Sequence, residues 1–331
     1  MNDRQAGVEL DGAFIAATPV PFDAAGRYVQ SAHERYVEYL AASSVDGVAV
    51  WAHTGRGLFI DDDVSTDVLR SWRAAFRGRI VVAGAGPRTV DAARLSSACA
   101  DDAAWVRLAA ERAERAAAGG ADAILCFPPV RFRERPERRR WIRDYHVALA
   151  RAGVPLIAFF LYDAAGGISY TSDELRDVLS LEGVRGIKMA TLDSVCTFQE
   201  VAELVAREFP GTTLLSGEDR FLGYTLLRGA SACLVGLGAA CPDVQKALLR
   251  ATRDRDGART IELLLAVDRF AERTFTRPLE GYIRRMLWAL VCLDVLPASA
   301  AHDPCFPELP SHEKDAVRSI IDEMRERGFA P

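Results

Sequence analysis

The 331-residue sequence lacks the cysteine and histidine patterns of metal centres and disulfide frameworks. Its seven cysteines are odd in number, no two stand at a Cys-x-x-Cys spacing, and its five histidines form no local ligand pattern. Four of the cysteines lie in or near apolar runs, namely Cys126, Cys196, Cys233 and Cys292. We therefore expect buried, reduced thiols and no bound metal, as in a cytoplasmic protein.

The sequence also lacks a long apolar run and a marked excess of charge of one sign. No apolar run reaches the ~18 residues that a membrane span requires, and the polar N-terminus, MNDRQAGVELDG, has no apolar signal core. Charged residues make up 26% of the chain and the net charge is -5, which gives no overall attraction to nucleic acid. These absences predict a soluble, cytoplasmic protein that binds neither membranes nor nucleic acid.

What the sequence does have is a series of short apolar runs with amphipathic stretches between them. The runs are mostly continuous rather than alternating, which is typical of strands buried on both faces of a parallel sheet. They predict strands at residues 13–17, 47–51, 80–83, 123–127, 155–161, 183–188, 212–216 and 232–235. The stretches between them predict helices at 31–43, 105–118, 138–152, 172–181, 199–209 and 220–229.

Eight strand–helix units within about 245 residues match the size and order of a (β/α)8 barrel. The alternative is an open doubly wound sheet, but its glycine-rich first turn is missing, since Thr18-Pro19-Val20-Pro21 follows the first strand. From residue 242 onward the pattern is helical only, at 244–252, 258–275, 279–296 and 311–327. The sequence therefore predicts an α/β fold, with a TIM barrel carrying the active site over residues 1–245 and a C-terminal helical region over 246–331.

Lysine is scarce in this chain, since Lys188, Lys246 and Lys314 are the only lysines among 41 basic residues. Lys188 stands near the carboxyl end of the sixth predicted strand, and that end of a barrel strand points into the active-site mouth. Desolvation there lowers the pKa of an ammonium, and the free amine can form an imine with a ketone. We interpret Lys188 as an imine-forming residue; the alternative is a salt-bridged lysine at a strand end.

Several motifs follow one another in order over most of residues 11–245. They are Ala16-Ala17-Thr18-Pro19, Asp46-Gly47-Val48-Ala49, His53-Thr54-Gly55, Ala83-Gly84-Ala85-Gly86, Gly120-Ala121-Asp122-Ala123, Leu161-Tyr162-Asp163, Gly186-Ile187-Lys188 and Ser216-Gly217-Glu218-Asp219. Each motif is weak alone, but the ordered set resembles the dihydrodipicolinate synthase and N-acetylneuraminate lyase family. The resemblance implies a class I aldolase barrel, a homo-oligomer (dimer or tetramer), and no cofactor because the lysine itself is the electron sink.

The resemblance also implies roles for individual residues. Lys188 would form the imine, and Tyr162 would pass protons to and from the substrate, since a phenol both donates and accepts. Thr54 and Gly55 would bind the carboxylate of a 2-oxo acid through backbone N–H groups and a hydroxyl. Apart from the resemblance, the glycine-rich Gly236-Leu237-Gly238 after the eighth strand would itself let the substrate approach the backbone closely at Gly236.

Some positions depart from the family pattern. His53 replaces the first threonine of its loop, and Val130 with Arg131 replaces the tyrosine pair after strand four. Imidazole exchanges protons near neutral pH, so we interpret His53 as a replacement acid–base group; the alternative is a histidine bonded to loop backbone. Arg131 begins a basic run, residues 131–143, and would bind a substrate carboxylate, the alternative being a solvated helix face.

The function predicted from these features is a pyruvate-type 2-oxo acid aldolase or lyase, acting through a lysine Schiff base on a small 2-oxo acid and an aldehyde. Dihydrodipicolinate synthesis itself is not expected, because the loop after Tyr162 lacks the arginine with which synthases hold the aldehyde's carboxylate. Two alternatives stay open. One is a Schiff-base dehydratase of a sugar-derived 2-oxo acid, and the other is a catalytically silent relative that binds a 2-oxo acid.

Overall fold

The computed structural model describes residues 8–331 and shows eight parallel strands closed into a barrel. Each strand pairs with the next, and the last pairs with the first through Phe14 opposite Cys233. The strands are β1 (Phe14–Ala17), β2 (Gly47–Val50), β3 (Ile80–Ala85), β4 (Ala123–Cys126), β5 (Leu156–Leu161), β6 (Val184–Ala190), β7 (Thr213–Ser216) and β8 (Ala232–Val235). The predicted TIM barrel is confirmed, whereas the first seven residues of the polar N-terminus lie outside the described residues.

Helices connect the strands and cover the barrel. They are α1 (Gln30–Ala42), α2 (Asp62–Ala75), α3 (Thr89–Ala92), α4 (Asp102–Ala118), α5 (Arg138–Ala150), α6 (Ser172–Leu179), α7 (Val195–Glu208), α8 (Leu222–Leu227) and α9 (Pro242–Arg253). The sequence did not predict α2. Its start is set by Asp61, whose side chain accepts a hydrogen bond from the Val64 N–H, and it buries Val68, Leu69 and Trp72 against the barrel.

Side chains of the barrel strands alternate between the lumen and the helix layer. Ala49, Val82, Leu125 and Phe159 belong to one apolar cluster that fills the lumen. Their neighbours in sequence belong to a second, larger cluster between the sheet and the helices. Because β-strand side chains alternate with a period of two, this parity places the Lys188 side chain on the lumen side.

The C-terminal helical region consists of α10 (Gly257–Thr274), α11 (Tyr282–Cys292) and α12 (Ser311–Glu326). Helix α10 packs on α9 and α12, and α11 packs on α12. The predicted boundary at residue 245 falls inside α9 and stays a prediction. Between α10 and α11 the chain returns to the barrel through residues 278–282, which we call the mouth turn. None of the helices within residues 8–331 is both long and apolar enough to cross a membrane.

Candidate active site

Lys188 lies in β6 with its amine inside the barrel. Its strand neighbours are Phe159 and Leu215, and its Nζ lies 4.4 Å from the centroid of the Phe159 ring. The residue is only 5% exposed. Gly217 makes room for it, since a Cβ at that position would lie 2.4 Å from Lys188 Cε. Burial lowers the pKa of the Lys188 ammonium, although the nearby charges of Asp219 and Glu218 act in the opposite direction.

Two buried carboxylates follow β7 and hold the strand ends around Lys188. Glu218 accepts hydrogen bonds from the Thr191 N–H at 2.7 Å, the Thr191 hydroxyl at 2.8 Å and the Leu192 N–H at 2.7 Å. Asp219 accepts one from the Leu237 N–H at 2.7 Å. Burial raises the pKa of both carboxyl groups. Their hydrogen bonds fix the loops after β6 and β8, which keeps the end of β6 in place.

Tyr162 directly follows β5, and its backbone N–H donates to Ala190 O at 3.0 Å. Its ring packs against the lumen cluster, and its hydroxyl donates to a carboxylate oxygen of Glu280 in the mouth turn. Burial, followed by the charge of Glu280, raises the pKa of Tyr162 well above its ordinary value of 10.0. The phenol is therefore protonated at neutral pH and is aimed at a base.

His53 and Thr54 lie in the loop after β2 and meet a tyrosine that the sequence did not predict. Tyr282, at the start of α11, places its hydroxyl 2.9 Å from Thr54 Oγ1 and 3.1 Å from His53 Nδ1. The His53 and Tyr282 rings are nearly parallel, with centroids 6.0 Å apart, and the His53 and Tyr162 centroids are 6.5 Å apart. The loop after β2 thus joins Tyr162 and Tyr282 in one cluster.

Glu280 is the centre of this cluster. One carboxylate oxygen accepts from Tyr162, and the other lies 3.2 Å from His53 Nε2 and 3.1 Å from Arg56 Nη1. Arg56 is in turn paired with the buried Asp303, at 3.0 and 2.5 Å. Burial acts to raise the pKa of Glu280, but hydrogen bonds from His53 and Tyr162 and the charges of His53 and Arg56 lower it to about 2. Glu280 is therefore ionised, and its bonds connect Tyr162 and His53 to the C-terminal region.

Gly55 and Gly236, two of the predicted substrate-binding residues, contribute to the cluster through their backbone and small size. Gly55 lies beside Thr54, but its N–H already donates to Ala52 O at 3.1 Å. Within residues 8–331, the His53 and Thr54 N–H groups donate to no protein acceptor. Gly236 lies under the cluster, because a Cβ there would stand 2.9 Å from the Tyr282 ring and 3.1 Å from Thr54 Oγ1. Its small size thus allows Tyr282 to pack close to the backbone.

Arg131 is not brought into the cluster. Its Nε lies 2.5 Å from the buried carboxylate of Asp102, and its Nη2 donates to Ser96 O and Ala98 O at 2.8 and 2.9 Å. The guanidinium therefore bonds the segment before α4 through Nε and Nη2. The predicted contact of Arg131 with a substrate carboxylate stays a prediction.

A cavity of about 620 Å³ lies above the cluster, and His53, Arg56 and Glu280 are among the residues that line it. The walls come from the loops after β2, β3, β4 and β5 and from residues 305–306 near the C-terminus. This is the position at which (β/α)8 enzymes bind their substrates, at the carboxyl ends of the strands.

Sequence reasoning missed Glu280 and Tyr282 because they lie in a stretch that was interpreted as one continuous helix, 279–296. The structure interrupts it, with a short 3-10 turn at Leu279–Gly281 before α11 begins at Tyr282. Gly281 was a signal of that interruption, since glycine disfavours a helix interior. The absence of the family's tyrosine pair after strand four was a second signal, because it implied that a tyrosine hydroxyl from another part of the chain takes that place.

Comparison with known proteins gives the family. The sequence profile of the dihydrodipicolinate synthetase family matches residues 11–324. The chain belongs to this family. The 4-hydroxy-tetrahydrodipicolinate synthase of Xanthomonas axonopodis pv. citri is 26% identical over 303 residues, covering 89% of this chain and 92% of that protein. The N-acetylneuraminate lyase of an Enterobacter species is 25% identical over 321 residues, covering 92% and 96%.

Solved structures agree on the fold. The dihydrodipicolinate synthase of Bacillus clausii superposes with a TM-score of 0.76 at 17% identity, over 96% of this chain and 98% of that one. The expected family resemblance and barrel are thus confirmed. As a member of the dihydrodipicolinate synthetase family, the protein is an enzyme, a carbon–carbon lyase of the class I aldolase type.

Proposed function

We propose that the protein is a 2-oxo acid aldolase or lyase that forms a Schiff base between Lys188 and a pyruvate-type substrate. The observation that carries this proposal is a lysine amine buried in the barrel lumen, with its pKa lowered by burial. A buried amine is neutral in a larger fraction of molecules than an exposed one, and only the neutral amine is a nucleophile. The apolar ring of Phe159 beside Nζ supplies this dry environment.

The carboxylate of the 2-oxo acid binds at the loop after β2 in this proposal. The N–H groups of His53 and Thr54 donate to no acceptor among residues 8–331, and the Thr54 hydroxyl stands beside them. Successive backbone N–H groups with a hydroxyl form a suitable site for an anion. Gly55 contributes the close turn of the chain, and its own N–H is used within that turn.

The chemistry then follows from the imine. The Lys188 amine attacks the keto carbon C2 and water leaves, which gives a protonated C=N bond. When the C4 hydroxyl passes its proton through the Tyr162 hydroxyl to water, the C3–C4 bond breaks, its electrons move into the imine, and an aldehyde departs. The resulting enamine takes a proton at C3, and hydrolysis returns pyruvate and the free amine. In the opposite direction, the same steps join the two substrates.

Tyr162, Glu280 and His53 form the proton path for these steps. The Tyr162 phenol is the group that meets the substrate and relays its protons, Glu280 accepts the hydrogen bond of that phenol and holds it in place, and His53 lies 3.2 Å from the same carboxylate. His53 and Tyr282 together thereby occupy the role for which the sequence offers no tyrosine after strand four.

Dihydrodipicolinate synthesis is not the activity that we propose. The loop after Tyr162 reads Asp163-Ala164-Ala165-Gly166-Gly167 and contains no arginine. Arg56 and Arg131 are paired with Asp303 and Asp102, and Arg133 donates to Gly167 O of this loop and lies 3.7 Å from Asp163. A second substrate that carries a carboxylate would therefore meet no free guanidinium from these residues.

The test is reductive trapping with borohydride in the presence of pyruvate, read by mass spectrometry of the digested protein. We expect one reduced pyruvate on Lys188, and none in Lys188→Arg, because a guanidinium stays protonated and is not a nucleophile. Trapping at another residue, or in the arginine variant, would show that the proposed site is wrong. Trapping of pyruvate with no cleavage of any 4-hydroxy-2-oxo acid tested would favour the catalytically silent binder. Loss of water from a sugar-derived 2-oxo acid without release of an aldehyde would favour the dehydratase.

A further inference from the structure

The cavity above the cluster is apolar over most of its wall. Six of its larger lining side chains are hydrocarbon or aromatic, namely Leu58, Phe59, Trp105, Phe127, Val130 and Phe306. Phe59 and Val130 remain 51% and 38% exposed, although both are large apolar side chains. Exposed apolar side chains grouped around a concave site commonly mark a place where an apolar ligand is buried.

The apolar wall is continuous with the imine site. The Phe127 ring, which lines the cavity, lies 6.0 Å from the Phe159 ring between centroids, and Phe159 carries the Lys188 amine on its face. Phe127 is held in this place by two glycines of β3 and the loop after it. A Cβ at Gly84 would stand 2.9 Å from the Phe127 ring, and one at Gly86 would stand 2.9 Å from Phe127 Cβ. A substrate bound to Lys188 therefore extends toward this wall.

The charges of the cavity are already neutralised by one another. Arg56 is the one arginine among the described residues that line it, and its guanidinium bonds both Asp303 and Glu280. Glu280 is ionised and also bonds Tyr162 and His53. An anionic group placed here would find no unpaired cation among the described residues that line the cavity and would lie near a carboxylate, so its desolvation would not be offset.

We propose, on the basis of the proposed function, that the aldehyde part of the substrate carries an uncharged apolar group, most simply an aromatic ring. The aromatic group lies against Phe127, Trp105 and Val130, while its carbonyl carbon faces C3 of the enamine on Lys188. Bond formation joins these two carbons, and the carbonyl oxygen takes a proton from Tyr162. The cavity of about 620 Å³ has the size of a site for such a group.

The experiment compares two synthetic substrates that differ in this group alone. They are 4-hydroxy-2-oxo-4-phenylbutanoate and 4-hydroxy-2-oxoglutarate, and cleavage is followed by the pyruvate that both release. We expect kcat/KM to be roughly 10–100-fold higher for the phenyl substrate, the range that apolar pocket contacts give. Equal rates, or faster cleavage of the dicarboxylate, would overturn the proposal.

A pair of variants tests the wall directly. Val130→Arg places a cation at the apolar rim. It should hinder binding of the phenyl group and help binding of the second carboxylate, so we expect the preference for the phenyl substrate to fall at least ~10-fold. Val130→Met also lengthens the side chain but adds no charge, so it should keep the preference. The wall does not bind the aldehyde part of the substrate if both variants change the ratio of the two kcat/KM values equally. The same holds if both variants change the oligomeric state and leave that ratio unchanged. Borohydride trapping with pyruvate distinguishes the failures, because its absence in the wild type would overturn the imine function itself.

Discussion

Replacing Glu280 by glutamine tests the least expected part of the site, the connection between the C-terminal region and the barrel mouth. The carboxylate accepts from Tyr162, His53 and Arg56. An amide keeps the shape, but it loses the charge and presents a donor NH₂ group to at least one of these donors. We expect turnover to fall roughly 10²–10⁴-fold, the range for general acid–base catalysis, while pyruvate is still trapped on Lys188.

The same substitution has a calculable effect on stability. The pKa of Glu280 falls from 4.5 to about 2, which corresponds to ~3 kcal/mol of preference for the charged form. The side chain is 21% exposed, and after allowance for solvent screening we expect a loss of about 2 kcal/mol in the free energy of unfolding. Because the folded-state pKa lies below the unfolded one, this contribution is complete above pH 4.5 and is lost as the pH falls through about 2.

The assay combines urea unfolding at several pH values with kcat and trapping measurements. A matched control is Glu308→Gln, since Glu308 pairs with Arg284 but is 69% exposed, and exposed ion pairs contribute only about 0–1 kcal/mol. The stability difference between wild type and Glu280→Gln should shrink toward pH 2, and the control should show the same trend with a much smaller amplitude, because Arg284 also lowers the pKa of the exposed Glu308. A Glu280→Gln enzyme with normal turnover and the stability of the control would refute the reasoning.

Three further predictions concern the residues around Lys188. His53→Ala should lower turnover by roughly 10²–10⁴-fold and slow imine trapping much less; near-normal turnover would make His53 a packing residue. Gly217→Ala would place a Cβ 2.4 Å from Lys188 Cε and 2.8 Å from Met189 O. We therefore expect slower imine trapping and a loss of about 1–3 kcal/mol in the free energy of unfolding. The control is Gly211→Ala, since no described atom lies within 4 Å of a Cβ at that position. The initial rate of imine formation should rise with pH, because the neutral amine reacts, and its midpoint should lie well below 10.5, the ordinary pKa of lysine; a midpoint at the ordinary value would mean that the amine is solvated.

The barrel could be predicted from the sequence because its signals are local. Buried parallel strands are continuous apolar runs, and the runs around Ile157 and Ile187 lie within one or two residues of the observed strands β5 and β6. The positions of Lys188 and Tyr162 could also be predicted from the sequence, since strand parity and the carboxyl-end rule place both side chains at the mouth. Helix α2 was missed, although Asp61 followed by an amphipathic stretch is a normal helix start.

The contacts of the mouth turn could not be predicted in the same way. Glu280 and Tyr162 are 118 residues apart in the chain, and His53 and Tyr282 are 229 apart. No local pattern encodes such pairings, which arise only when α10 and α11 have packed on the barrel. The sequence could show that a relay group was missing after strand four, but not that the C-terminal region would supply one.

The central claim is that Lys188 forms the imine inside the barrel, and a crystal structure of the protein soaked with pyruvate tests it most directly. We predict continuous electron density from Lys188 Nζ to C2 of the substrate, with the carboxylate at the His53 and Thr54 N–H groups and the Tyr162 hydroxyl close to the imine. Pyruvate bound elsewhere, or a Lys188 side chain that stays unmodified in a fully occupied complex, would contradict the account.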